Sequence, residues 1–184
     1  MPPQQEQEHD REPEHEQERD RDRQPGSPPA SYTLRPIGVV RSPRAVPEHD
    51  HWGGVTALIE LDPAVLRPEA VTGLELFSHL EVVFHFHLVP ESDTVTGAVH
   101  PRGRTDLPRL GILAQRLKER PNRLGVSRCE LVGVDGLTLR VRALDALDGT
   151  PVLDVKPYQR LFQPDPAAVR EPPWLHEAMS AYYA

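Results

Sequence analysis

The densest chemistry in the sequence lies between Gly111 and Tyr158. Arg102, Arg104, Arg109, Arg116, Lys118, Arg120, Arg123 and Arg128 stand against only Asp106 and Glu119, a net of +6 within 27 residues. Such a local field suits phosphate or carboxylate groups. A solvated face with scattered salt bridges is the plain alternative. Few aromatic residues interleave with these cations, so base stacking is not indicated. Further on, Asp145, Asp148 and Asp154 fall in turns around short strands, with Lys156 nearby. A carboxylate at a strand end can accept hydrogen bonds from a ribose or an amino group, or help take a proton. Turn chemistry alone would also account for these Asp and Gly residues.

Histidines form the other constellation. His85 and His87 are two apart, as are His49 and His51, and His79 and His100 lie between and beyond them. Two imidazoles on one strand face could ligate a metal. His85-X-His87 followed by Glu91 resembles the first metal motif of cupins, but the glycine of that motif would fall at His79 and no second motif follows Gly97. Hydrogen-bonded, half-buried strand histidines are the simpler reading, and no metal is assigned. There is no Gly-rich phosphate motif after a strand, no Gly-X-Ser-X-Gly and no zinc-finger spacing. The lone Cys129 reads as a small buried hydrophobe.

These groups need strands to hold them. Ile37 to Arg41 reads as a short strand. Residues 44–54 form a polar loop, and Val55 to Leu61 alternates at strand period. Asp62-Pro63 predicts an N-cap and the opening of a short helix. Leu80 to His87 predicts a strand with Leu80, Val82, Phe84 and Phe86 on one face and His85 and His87 on the other. Residues 90–108 read as a long loop. Strands at Val126 to Val134 and Leu137 to Leu144 flank Asp135-Gly136, a pair favoured in a two-residue type I′ hairpin. Val152 to Val155 is a short strand stopped by Lys156-Pro157, and Trp174 to Tyr183 predicts a short helix. Its apolar face comprises Trp174, Leu175, Ala178, Met179 and Tyr182. Many short strands with frequent turns indicate a mainly β chain, a small barrel or sandwich.

The 184 residues suit one domain with a tail. Met1 to Gln24 has no Val, Ile, Leu, Phe, Trp or Tyr and carries nine acids and four arginines. It is expected to be disordered, because it cannot bury enough apolar surface to offset its ordering entropy. A Pro/Gly/Ser linker extends this tail to residue 31, the domain covers 32–164, and residues 165–184 form an extension. The full chain has net charge −7 and the tail −5, so the remainder is only −2 and overall acidity says little about ligands. No apolar run approaches the ~18 residues of a membrane span, and the start lacks the apolar core of a secretory signal. A cytoplasmic protein without membrane or DNA partners is expected.

Four blocks resemble the TsaA-like family, in family order. They are Ile37-Gly38-Val39-Val40-Arg41-Ser42-Pro43, Gly73-Leu74-Glu75-Leu76-Phe77-Ser78-His79, Arg116 with Arg120-Pro121-Asn122 and Gly125, and Asp145 to Tyr158. The run Asp-Gly-Thr-Pro-Val-Leu-Asp-Val-Lys-Pro-Tyr is the most specific. The resemblance implies a small β-barrel, S-adenosyl-L-methionine as cofactor, methyl transfer as activity, and a homodimer with the cofactor near the subunit interface. The best-known family activity is N6-methylation of threonylcarbamoyladenosine beside the tRNA anticodon, so tRNA is the expected partner. By similarity, Glu48, His49 and Asp50 contact the cofactor, and His87 and Leu88 line its pocket. Arg116 and Val126 frame its methionine or adenosine part. Arg142, Ala143, Leu144 and Asp145 hold the remainder, largely through backbone groups. The expected catalytic set is Asp145, assisting proton removal, with Arg116 and Arg120 orienting the substrate.

The sequence also departs from the family. Leu117-Lys118 replaces a common Ser-Pro after Arg116, Arg123 replaces a Pro, and the loop often reading Pro-Arg-Gln is here Pro47-Glu48-His49-Asp50. The chain is also too short for the C-terminal domain that some bacterial members carry. These changes leave a small-metabolite acceptor as the alternative substrate, with a cupin-like metal enzyme or a non-catalytic binding protein as rival classes.

Overall fold

A computed structural model describes residues 31–184, and the expected tail and most of the linker lie outside them. Residues 34–184 cluster as one unit. Six strands make its body: β1 (Gly38–Arg41), β2 (Thr56–Leu61), β3 (His79–His85), β6 (Leu124–Asp135), β7 (Thr138–Arg142) and β8 (Pro151–Pro157). They close into an antiparallel barrel in the order β1-β2-β7-β6-β3-β8. The seam is β1 against β8, with Gly38 opposite Val152 and Val39 opposite Pro151. Closure leaves no open edge to template further pairing. A separate two-stranded ribbon, β4 (Ala98–Val99) with β5 (Leu110–Gly111), lies within and just after the long loop.

Alternation fills the barrel. Ala57, Ile59 and Leu61 of β2, Leu80, Val82 and Phe84 of β3, and Leu139 and Val141 of β7 are buried together with Val40, Leu131, Leu144 and Val152. On β6 the inward positions are Gly125, Ser127, Cys129 and Leu131, all buried. Gly125 faces Phe84 across the β3–β6 pair. A Cβ there would lie 2.4 Å from the Phe84 ring, so the aromatic ring occupies the space a side chain would need.

Several expectations are corrected at element ends. β3 stops at His85, and the next residues turn, with the His87 N–H bonded to the His85 carbonyl at 2.8 Å. The two imidazoles therefore do not share a strand face. Asp62 caps a turn through Ala64 N–H (2.8 Å) rather than opening a regular helix, and a 3-10 turn follows at Pro68–Val71. The hairpin loop is Gly136-Leu137, because Asp135 pairs with Thr138. Positive φ occurs at Gly136 alone, as in a type II′ turn and not type I′. β8 runs through Lys156 to Pro157, because its partner strand β3 supplies pairing as far as Leu80. The late helix shrinks to α1 (Leu175–Ala178), although the partly buried residues around it include the expected apolar set. No helix among the described residues is long and apolar enough to cross a membrane.

Cys129 is buried in the core, and burial first, then the Asp145 charge, pushes its thiol pKa up to about 12. The thiol is thus protonated at pH 8, so alkylation by iodoacetamide is expected to be slow in native protein and rapid in urea. Equal rates in both would place the thiol outside the core. Gly125→Ala is expected to destabilise by about 1–3 kcal/mol through overpacking against Phe84. Gly133→Ala, whose Cβ would meet nothing within 4 Å, should leave the urea midpoint nearly unchanged.

Candidate functional site

The polar loop at 44–54 is organised by a residue absent from the expected set. Arg44 donates to the carbonyls of Asp50 (2.8 Å) and His51 (2.7 Å), pairs with Glu48 at 3.3 Å, and lays its guanidinium 4.4 Å over the ring of buried Trp52. Four contacts from one side chain fix the loop that carries Glu48, His49 and Asp50. Glu48 and His49 are exposed. Asp50 turns inward, with one carboxylate oxygen taking a 2.6 Å ion pair from Arg102. Its other oxygen, Oδ1, is buried without a hydrogen-bond partner among the described residues, as is Oε1 of Gln115. A buried acceptor left unpaired costs free energy, so both oxygens carry unused acceptor capacity.

Asp145 is the second centre. Ser127 donates to its Oδ1 and Tyr182 donates to its Oδ2. Burial, and then the Asp145 charge, raises the Tyr182 phenol well above its ordinary ionisation range. Tyr183 is pushed up to about 12, again by burial first and Asp145 second, with Arg116 opposing. Arg116 donates to the carbonyl of Val126, the residue before Ser127. The Tyr182 carbonyl in turn accepts from Trp52 N–H at 2.8 Å. A continuous path thus joins Arg116, Val126, Ser127, Asp145, Tyr182 and the 44–54 loop.

The remaining expected residues have mixed placements. Arg142 ends β7 and pairs its guanidinium with Glu130 across the β6–β7 ladder. Ala143 has φ +64, unusual for a residue with a Cβ, and its N–H is held by the Val55 carbonyl at 2.9 Å. Leu144 is fully buried core, which limits it to a backbone role. His87 and half-exposed Leu88 sit in the turn after β3. His87 Nε2 is 3.7 Å from where a Cβ on Gly149 would stand, and burial lowers its pKa while Asp148 raises it. Arg123 braces this turn by donating to the Val89 carbonyl at 2.8 Å, and it adds to the burial that lowers His85. Arg120 reaches the Gln115 carbonyl at 3.4 Å and is not joined to Asp145 by any hydrogen bond found here.

The basic run splits into two kinds. Arg102, Arg104, Lys118 and Arg128 pair with carboxylates. Arg109, Arg116, Arg120 and Arg123 donate to backbone carbonyls instead. A carbonyl orients a guanidinium without cancelling its charge, so these four keep a positive field. No group of three or more His, Cys, Asp or Glu side chains comes together among the described residues.

Ser127, Tyr182, Arg44 and Gln115 join the candidate site without having been singled out for it in the sequence, and Arg102, read there only as part of the basic run, joins it as the partner of Asp50. Ser127 had a legible signal, a hydroxyl at an inward position of an otherwise apolar strand face. Tyr182 lies 37 residues from Asp145, and no local pattern links them.

Comparison with known proteins places this geometry. The family described as the tRNA-methyltransferase O N-terminal domain matches residues 40–163. A probable S-adenosyl-L-methionine-binding protein of Methanothermobacter thermautotrophicus is 41% identical over 129 residues, covering 68% of this chain and 88% of that protein. The tRNA (adenine(37)-N6)-methyltransferase of Escherichia coli is 37% identical over 138 residues, covering 70% of this chain. A crystal structure of TrmO from Pseudomonas aeruginosa aligns with TM-score 0.60 at 31% identity over 76% of this chain. The chain spans only 58% of the Escherichia coli protein and 62% of the Pseudomonas chain. The expected β-barrel and the four sequence blocks thus converge with these matches: the chain belongs to the TsaA-like family defined by the tRNA-methyltransferase O N-terminal domain.

Proposed function

We propose that this protein is an S-adenosyl-L-methionine-dependent methyltransferase whose acceptor is a modified adenosine in tRNA. The observation that carries the cofactor assignment is the hydrogen-bonded path from Arg116 through Asp145 to the 44–54 loop, with a buried, unpaired Asp50 oxygen beside it. The residues fit the group. S-adenosylmethionine offers an ammonium, two ribose hydroxyls and an amino group as donors, and Asp50 Oδ1, Gln115 Oε1 and the free lone pairs of Asp145 are acceptors. Ala143 and His51 (φ +63) hold left-handed backbone on the segments leading to Asp145 and following Asp50, fixed by N–H bonds to the Val55 and Ala181 carbonyls.

Bound S-adenosylmethionine supplies an electrophilic methyl group. The protein's part is to hold a nucleophile in line with it and exclude competing orientations. Asp145, fixed by two hydroxyl donors, is placed to accept a proton or a ligand N–H. Arg116 and Arg120, which pair with no carboxylate among the described residues, favour an anionic or phosphate-bearing acceptor. The curated relatives named as tRNA (adenine(37)-N6)-methyltransferases support tRNA, and threonylcarbamoyladenosine beside the anticodon adds a carboxylate that suits this field. A homodimer acting in the cytoplasm accompanies this reading.

A small-metabolite acceptor is the second reading. It is favoured by the changed loop, where Glu48 and His49 stand exposed in place of the family's common Arg-Gln.

Titration calorimetry with S-adenosylmethionine should show one saturable site in the folded protein, and no heat of binding would remove the cofactor. Arg116→Ala should weaken binding or turnover at least about tenfold; a neutral result would take Arg116 out of the site. Incubation with methyl-labelled cofactor and cell extract should place label in tRNA. Label confined to the small-molecule fraction would transfer the assignment to the second reading.

A further inference from the structure

We infer that Tyr182 is a positioning residue of the candidate cofactor site, holding the Asp145 carboxylate from one side while Ser127 holds it from the other, and that the segment 174–183 forms a wall of that site. This rests on the cofactor reading above.

The segment cannot be seated by its own helix. α1 has four residues, far fewer than an isolated helix needs. It is held by bonds to two loops. His51 N–H donates to the Ala181 carbonyl at 2.9 Å, and Trp52 N–H to the Tyr182 carbonyl at 2.8 Å. Arg104 pairs with Glu177 at 2.8 Å. Arg102, already paired with Asp50, also reaches the Met179 sulfur at 3.7 Å. A Cβ on Gly53 would lie 2.1 Å from the Tyr183 carbonyl oxygen, so the two backbones approach as only glycine allows.

Apart from the Arg104–Glu177 pair, these anchors lie at the loop carrying Asp50 or at its partner Arg102. Their joint effect is to present the Tyr182 phenol to Asp145 Oδ2. An ionised carboxylate can only accept, so Ser127 and Tyr182 both donate. Each carboxylate oxygen keeps further acceptor capacity for a ligand. The upward push on the phenol's own ionisation keeps it a donor across the working pH range. The alternative, that the segment plugs the site, fits less well. The segment contacts Asp145 by a single phenol hydrogen bond and puts no donor on Asp50 Oδ1, which is unpaired among the described residues.

The test uses the full chain and three variants, Tyr182→Phe, Asp145→Asn and the double. Calorimetry with S-adenosylmethionine should give binding about five- to tenfold weaker for Tyr182→Phe. In the Asp145→Asn background the same change should cost less than about twofold, because the phenol acts through that carboxylate. Equal losses in both backgrounds would mean a merely structural role and overturn the inference. Unchanged or tighter binding by Tyr182→Phe would overturn it too, tighter binding marking a plug. Absence of binding by the wild type overturns the cofactor reading and this inference with it. A measurement independent of cofactor is alkaline titration of tyrosine absorbance at 295 nm. Asp145→Asn should bring the Tyr182 and Tyr183 ionisations to lower pH, and more so in the wild-type than in the Tyr182→Phe background; an equal shift in both, or none, would overturn the contact between Tyr182 and Asp145.

Discussion

The pairing of β1 with β8 is the constraint on which the rest depends. Without it the six strands would be an open, twisted sheet with two edges and no enclosed interior. With it, strand parity sets the sides: residues on β2, β3, β7 and on β6 as far as Leu131 alternate between core and outside, and a bulge at Leu131/Gly133 resets the phase so that Val134 packs on the core. The same parity that sends Cys129 and Leu131 inward sends Ser127 inward too. A hydroxyl on a core-facing position must find a partner, and Asp145 supplies it. The site is therefore built partly from the barrel's own need to satisfy a buried polar group.

Charge is managed by the choice of acceptor. Where the basic segment meets carboxylates, the field is spent: at Arg102 and Arg104 the ion pairs tie separate segments together, and at Arg128 the pair bridges β6 to Glu81 directly opposite on β3. Where it meets backbone carbonyls, as at Arg116 and Arg123, the side chain braces its loop and the charge stays available. Counting cations along the sequence could not separate these two uses, because the acceptor is set by the folded path and not by spacing.

This explains what was legible. The barrel strands were readable because alternation is local: Val55 to Leu61, Leu80 onward and the hairpin about Gly136 all announce their faces. Their ends were less so, since pairing decides them. β8 continues through Lys156-Pro157 because β3 is there to pair with it, and β3 releases His87 because its own partners stop. Resemblance to a family named Arg116, Val126 and Asp145, and the structure links the first two directly. Arg44 and Tyr182 were invisible as site residues, because their roles come from contacts made across the fold. In the sequence one is a loop cation and the other part of an apolar stripe.

Strain points the same way. Among the described residues, the non-glycine positions with positive φ are His51, Arg102, Arg123 and Ala143. Each lies on a segment that carries or braces a candidate ligand contact. His51 follows Asp50 and binds the late segment, and Arg102 pairs with Asp50. Arg123 buttresses the His87 turn, and Ala143 sits two residues before Asp145. Such conformations persist only where surrounding bonds over-determine them. Here the bonds are identifiable: Ala181 on His51, Asp50 on Arg102, Val89 on Arg123, Val55 on Ala143. The barrel supplies a rigid frame, and the loops on it are held in conformations their sequences would not choose alone. Loops cross-braced in this way are ordered by the protein's own bonds, so a ligand bound on them does not have to bear the entropy of ordering them.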